Sequence, residues 1–290
     1  METAQEKAIA EQRLAAKGST LFEKVIPQDL QVVLWSVRNQ IKSVQIESEE
    51  PWIPWEMCKL EGKDNGKLVE GPFFCEAFAL CRRLMGIGVH PPTLTLNNMA
   101  LVLPRNSGLQ SAASEGSYVS SLANGGRKVT RVPAAYLDVI AEMKKGEHDG
   151  WHFTGHGGFS APDPDRSVIV LEDGQRLMPE DLSGVVKNVG KPRPLVFLNA
   201  CQIGRSALSL TGIGGWASRF VGAGAGAFVG AYWSVYDQAA HDFAQALYGR
   251  LLGGMTIGRA VQEARLMIKP LGDPTWLAYT VFADPATKII

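Results

Sequence analysis

The 290-residue sequence has no uninterrupted apolar run of the roughly 18 residues that a membrane-spanning helix needs, so a bilayer-spanning protein is not expected. It has no excess of either charge. Lys plus Arg and Asp plus Glu number 29 each, so no overall field draws the chain to nucleic acid or anionic lipid. Residues 1–20 are polar and hold no apolar core, so a secretory signal is not expected. There is no Cys-x-x-Cys pair. The four cysteines are Cys58, Cys75, Cys81 and Cys201, which suits a reducing, cytoplasmic setting better than a disulfide framework. Internal repeats and low-complexity tracts are also lacking.

What remains is an ordinary globular chain, 46% hydrophobic and 20% charged, long enough to bury a core without staples. Residues 1–20 read as helical or disordered, a candidate stub of a longer protein. Apolar residues at helical spacing predict a helix over 29–44, and another over 73–84 that ends at Gly86 and Gly88. After Pro91-Pro92 the pattern turns to short apolar strands alternating with helices. Strands are expected over 93–103, 128–132, 151–154, 195–198, 227–231 and 276–282, with a hairpin over 168–178. Helices are expected over 114–122, from Pro133 onward, over 216–221, and after Asp237 and Thr256, each of which can cap a helix. Such alternation implies an α/β fold with helices on both faces of the sheet. Leu195-Val196-Phe197-Leu198 suits a central parallel strand.

Two of these strands end in chemically able residues. One is Phe153-Thr154-Gly155-His156-Gly157-Gly158; the other is Leu198-Asn199-Ala200-Cys201-Gln202-Ile203-Gly204. Sites in open α/β sheets form beyond the carboxyl ends of the strands, so neighbouring tips would share one crevice. A thiol of pKa about 8.5 supplies only a few per cent of thiolate at neutral pH, and a nearby imidazole is the usual remedy. His156 is therefore the candidate base and Cys201 the candidate nucleophile. The Gly157 and Cys201 amides are candidate donors to an oxyanion.

These motifs resemble the caspase-like peptidases. A caspase signature sets the nucleophile in Gln-Ala-Cys-x-Gly with the His about 50 residues upstream; Asn199-Ala200-Cys201-Gln202-Ile203-Gly204 departs from it at the first position and by one residue before the Gly. The sequence is more similar to the CHAT branch of clan CD. That branch carries a His-Phe-x-Gly-His-Gly strand end followed later by Ala-Cys-x-x-Gly. Gly222-Ala223-Gly224-Ala225, Tyr232-Trp233-Ser234-Val235-Tyr236-Asp237, the helix that follows, Pro54-Trp55-Glu56 and the Glu115 helix also look like it. The resemblance runs from about residue 45 to 285 and implies a caspase-like three-layer α/β/α sandwich with a mostly parallel central sheet. On this reading 1–45 is a helical leader and 46–290 the peptidase domain. The resemblance implies a Cys/His dyad, a protein substrate and no cofactor. It also implies regulation by a fused or associated sensor module, often in bacterial and antiviral defence. A rival reading keeps the dyad idle in a binding or signalling module; another is a different thiol hydrolase or acyltransferase.

Other residues carry competing readings. Asp237 is a helix cap or lines a pocket for a basic residue before the cut. Glu115 is a solvated helix charge or supports substrate binding, and Asn199 orients its loop or contacts substrate. His152-x-x-x-His156 has the spacing of a zinc pair, but Gly155 and Gly157 break any helix, so His152 reads as a satisfied core residue and no metal is expected. The Gly222–Ala227 run has its helix before it and its strand after, the reverse of a dinucleotide fingerprint. Trp52, Trp55 and Trp216 read as core or interface anchors. Residues 208–215, glycine-rich and just past Cys201, are the candidate mobile segment.

Overall fold

The computed structural model describes residues 4–50, 53–86, 88, 90–105, 107–108, 110–158, 167–202, 213–233 and 235–290. In chain order its strands are β1 (Ser43–Ser48), β2 (Lys59–Asp64), β3 (Lys67–Phe73), β4 (Ala79–Leu84), β5 (Thr93–Leu94), β6 (Asn98–Val102), β7 (Lys128–Val132), β8 (Gly150–Gly158), β9 (Val168–Val170), β10 (Arg176–Leu177), β11 (Leu195–Gln202), β12 (Ala227–Ala231), β13 (Tyr279–Phe282) and β14 (Lys288–Ile289). Its α-helices are α1 (Ala4–Val25), α2 (Gln28–Val37), α3 (Phe74–Ala77), α4 (Gln110–Ser121), α5 (Tyr136–Lys145), α6 (Ile213–Ala223), α7 (Asp237–Leu252), α8 (Ile257–Ile268) and α9 (Thr275–Ala278).

One sheet dominates, in the order β1-β4-β13-β12-β11-β8-β6-β7, with β9 and β10 attached at β8. Strands β7, β6, β8, β11 and β12 run parallel. β13 reverses against β12, and β4 and β1 then run parallel to β13. The chain steps one way from β6 to β7 and the other way from β7 to β8. Right-handed crossovers therefore send α4 and α5 to opposite faces, and α6, between β11 and β12, to the face of α5. Packing agrees: α4 lies on α7 and α7 on α8, while α5 and α6 both rest on the 3-10 segment Gly184–Gly190. The result is a three-layer α/β/α sandwich with a mostly parallel sheet.

Coverage on both faces explains the apolar strand runs. Leu195, Val196, Phe197 and Leu198 are all buried, as are Trp151, His152 and Phe153 opposite them. Phe153 meets Phe220 of α6, whereas Phe197 meets Phe243 and Tyr248 of α7. A second apolar cluster joins the first two helices to the β2–β3 hairpin and β4, through Phe22, Ile26, Trp35, Leu60, Phe78 and Leu80.

Four predicted elements differ. The strand expected over 93–103 is broken into β5, which pairs with β14 outside the main sheet, and β6 within it. The helix expected over 29–44 ends at Val37, and Ser43–Ser48 instead forms an edge strand whose exposure alternates. The helix expected over 73–84 is the end of β3, the single turn α3 and then β4. Its apolar residues fall on every side, and a continuous apolar run does not separate a buried strand from a buried helix. The strand expected over 276–282 opens as the turn α9 and becomes extended only at Tyr279. Elsewhere the alternation holds. Trp216 is buried and Trp55 half-buried, while Trp52 lies outside the described residues.

Candidate active site

β8 and β11 are hydrogen-bonded neighbours with continuous parallel register, Leu195 opposite Gly150 through Gln202 opposite Gly157. In that register Cys201 is the partner of His156. Adjacent strands lie about 4.8 Å apart, so the two backbones meet at the carboxyl ends of both strands. β8 in turn adjoins β6, where the chain order reverses, the position at which open α/β sheets form their crevices. Residues 203–212 lie outside the described residues, and with them Ile203, Gly204 and most of the expected mobile segment; 213–215 begin α6.

His156 is half-buried, and its Nε2 is hydrogen-bonded to the Ser107 carbonyl, just past β6. A carbonyl only accepts, so Nε2 carries the proton, and in the neutral imidazole Nδ1 holds the lone pair. Nδ1 is buried and has no hydrogen-bond partner among the described residues. Gly155 explains how the strand delivers this ring. Its φ is +145°, and an added Cβ would stand 3.2 Å from Pro104 Cδ, so both conformation and space call for glycine. Gly157 pairs with Gln202 on one side and Ile169 of β9 on the other.

Glu115 and Asn199 meet beneath this tip, in a buried network. Glu115 is 2% exposed, so it is not the solvated charge that its helix pattern allowed. Its Oε1 accepts from Asn199 Nδ2 at 2.8 Å and from His152 Nε2 at 2.6 Å. Tyr248 donates to His152 Nδ1 at 3.0 Å. Burial first, and then the Glu115 charge, push the Tyr248 phenol well above its ordinary range, which keeps it a donor. Asn199 also donates to the Ala240 carbonyl at 3.2 Å and accepts from Tyr279 at 2.8 Å. Every hydrogen-bonding atom of His152 is thus used. Burial without pairing is what makes polar groups costly, and here the pairing is present.

Asp237 stands apart from that network. It is the first residue of α7, with Tyr236 in the cap position, so it does not cap its own helix. Its Oδ2 accepts from the Ser111 backbone N–H at 2.8 Å and so caps the start of α4 instead. Glu56, from the Pro54-Trp55-Glu56 motif, is paired with Arg82 in the interior. The two are 1% and 2% exposed, and Arg82 Nε donates to Glu56 Oε1 at 3.0 Å. Burial alone would raise the Glu56 carboxyl, but Arg82 holds it below its ordinary value. Among the described residues no group of three His, Cys, Asp or Glu side chains is arranged to hold a metal ion, and no helix is long and apolar enough to cross a membrane.

Sequence reasoning did not reach Ser107, Tyr248 or Tyr279. Ser107 acts through a backbone carbonyl, which any residue type supplies. The two tyrosines carry no local pattern that marks them, and only the fold brings their hydroxyls to His152 and Asn199.

The chain is similar in structure to proteins that carry this sheet. The Arg-specific cysteine proteinase gingipain R aligns at TM-score 0.55 with 12% identity, over 99% of this chain and 68% of that one. A complex of the pro- and mature domains of the Porphyromonas gingivalis gingipain gives 0.54 and 12%, over 99% and 72%. The Saccharomyces cerevisiae separase–securin complex aligns at 0.49 and 12%, over 77% of this chain but only 16% of that one. At these identities the gingipain likenesses show the fold, the caspase-like sandwich. No curated protein matches the chain by sequence. A family model, the CHAT domain, matches residues 20–276. With most of its length matched in this way, the chain belongs to the CHAT domain family.

Proposed function

We propose that this protein is a cysteine endopeptidase acting on protein substrates, with Cys201 as nucleophile and His156 as base. The observation that carries the reading is the register: Cys201, at the tip of β11, is the direct partner of His156 on the neighbouring parallel strand. The Ser107 carbonyl adds to it by leaving the Nδ1 lone pair unused.

The chemistry follows from that tautomer. His156 Nδ1 takes the Cys201 thiol proton, and the thiolate attacks the scissile carbonyl carbon. The carbonyl oxygen becomes an oxyanion held by the Gly157 and Cys201 amides. Collapse breaks the C–N bond, and the proton on Nδ1 passes to the leaving amine. The acyl-enzyme at Cys201 is then attacked by water, which gives its proton to the same Nδ1. The thiol and a new carboxylate are released. Throughout, the Nε2–H bond to Ser107 steadies the ring and supports the imidazolium. The three buried free thiols Cys58, Cys75 and Cys81 suit a reducing cytoplasmic setting. Control by a sensor or partner module, in a defence role, is the part of this reading that rests on family resemblance alone.

The test offers a peptide library to the wild type, Cys201→Ala and His156→Ala. Cleavage by the wild type should fall by about 10³-fold or more in each variant. A wild type that neither cuts peptides nor is labelled at Cys201 by thiol-reactive peptide probes overturns the reading and leaves an idle, binding scaffold. Hydrolysis of thioesters or small amides without peptide cleavage points to a different thiol hydrolase.

A further inference from the structure

His156 has Cys201 on one side and a cleft on the other. Across the sheet the order is β11, β8, β6, β7, so the cleft beyond β6 and β7 lies on the far side of His156 from the nucleophile. Its volume is about 710 Å³. The segment after β6, with Leu103, Arg105 and Ser107, forms one wall, and Gly116 and Ser117 of α4 face it. Ser107 is the residue whose carbonyl holds His156, so cleft and imidazole share a wall. An added Cβ at Gly116 would stand 2.5 Å from Leu103 Cδ2, so the helix lies closer to that wall than a side chain there would permit without moving Leu103.

Two arginines line the cleft, Arg105 and, from β7, Arg131. Arg131 Nη2 donates to the Leu103 carbonyl at 3.4 Å, a long contact that leaves most of its donors unused. The Arg105 backbone N–H donates to Glu172 Oε2 at 3.3 Å. Neither guanidinium pairs with a carboxylate among the described residues, although eight ion pairs of other Lys and Arg side chains are made among them. Two arginines lining one concave site, neither with a carboxylate partner among the described residues, repel a basic side chain and offer planar, charge-assisted donors to a carboxylate.

The chemistry says which part of a substrate reaches them. The leaving amine must sit at His156 to receive its proton, so the peptide that follows the cut runs from Cys201 over His156 and onward. From β8 to β7 is two strand spacings, about 10 Å, and an extended peptide advances about 3.3–3.6 Å per residue. We propose that this cleft is a subsite for an acidic side chain carried about two to four residues after the scissile bond. The inference rests on the Cys201/His156 reading and deepens it into a substrate class.

The experiment uses peptides alike before the cut and bearing Glu, Gln or Lys at the second to fourth positions after it. With the wild type, kcat/KM should favour Glu over Lys by about 10-fold or more, the scale of a charged hydrogen bond. In Arg131→Gln and Arg105→Gln that ratio should fall toward one, and in Arg131→Lys it should be partly kept. A Glu-to-Lys ratio unchanged in both Gln variants overturns the subsite. In parallel, a fluorescein-labelled acidic peptide matching the leaving side is titrated onto Cys201→Ala by anisotropy, with and without Arg131→Gln. Arg131-dependent binding, weakened by salt, supports the subsite even where the wild type cuts nothing, in which case the failure lies with the peptidase reading. Cleavage with no acidic preference sinks the subsite alone.

Discussion

Asn199 donates its side-chain amide to Glu115 Oε1 at 2.8 Å, in a buried contact two residues before Cys201 on the same strand. The same oxygen accepts from His152, four residues before His156. One carboxylate from α4 therefore ties both tip-bearing strands, and Tyr248 and Tyr279 close the network behind it. Glu115→Ala leaves two buried donors without an acceptor. It is expected to lower stability by about 2–6 kcal/mol, at about 1–3 for each orphaned group. Glu115→Gln keeps an acceptor oxygen and is expected to lose less. Urea midpoints for the two variants measure the difference, and equal losses contradict the hydrogen-bond account.

Gly155 carries a φ of +145° immediately before His156, with Pro104 in the way of any Cβ. Gly155→Ala is expected to cost about 1–3 kcal/mol, the scale of one strained residue. Because the strain sits next to the proposed base, kcat should fall further than KM rises. A variant with unchanged midpoint and unchanged kcat would show that the turn tolerates a side chain.

Asp237→Asn separates the two readings of that residue. The amide oxygen can still accept from Ser111 N–H, so the α4 cap survives, but the charge is gone. A pocket for a basic residue before the cut predicts that Asp237→Asn loses any Arg or Lys preference while its melting temperature hardly moves. Asp237→Ala should in addition lose about 1 kcal/mol of capping. A basic preference that persists in Asp237→Asn removes Asp237 from specificity.

The buried thiols set an alkaline limit on stability. Burial pushes Cys58 and Cys75 up to about 12 and Cys81 higher still, against an ordinary thiol near 8.5. In the unfolded chain these thiols ionise near that ordinary value, while in the folded protein they stay neutral. Their contribution is therefore complete below about pH 8.5 and is lost as pH climbs toward the folded values, because the unfolded state alone sheds protons there. The urea midpoint should decline from about pH 9 upward, and Cys58→Ala/Cys75→Ala should flatten the decline. At neutral pH these three thiols should react with a thiol reagent only on unfolding.

Much of this was legible in the chain. Leu195-Val196-Phe197-Leu198 and Trp151-His152-Phe153 read as buried strands because a strand covered on both faces has no polar side to display. The glycines around His156 and the small residues before Cys201 read as strand tips for a similarly local reason: backbone and ligand need room there. Residues 73–84 were misread because their apolar residues lie on all sides, and periodicity is silent where everything is buried.

The order of elements, the apolar strands and the chemical identity of His156 and Cys201 are thus set by the sequence itself, through local backbone preference and apolar patterning. The strand order, which seats β8 beside β11 and Cys201 opposite His156, was decided only in the tertiary structure, since pairing joins segments distant along the chain. The same holds for Ser107, which sets the tautomer of His156 through a carbonyl that carries no side-chain signal. It holds too for Glu115, whose helix position allowed a solvated charge until packing closed Asn199, His152 and α7 around it. Local pattern says which groups exist; burial and long-range pairing decide what each of them faces.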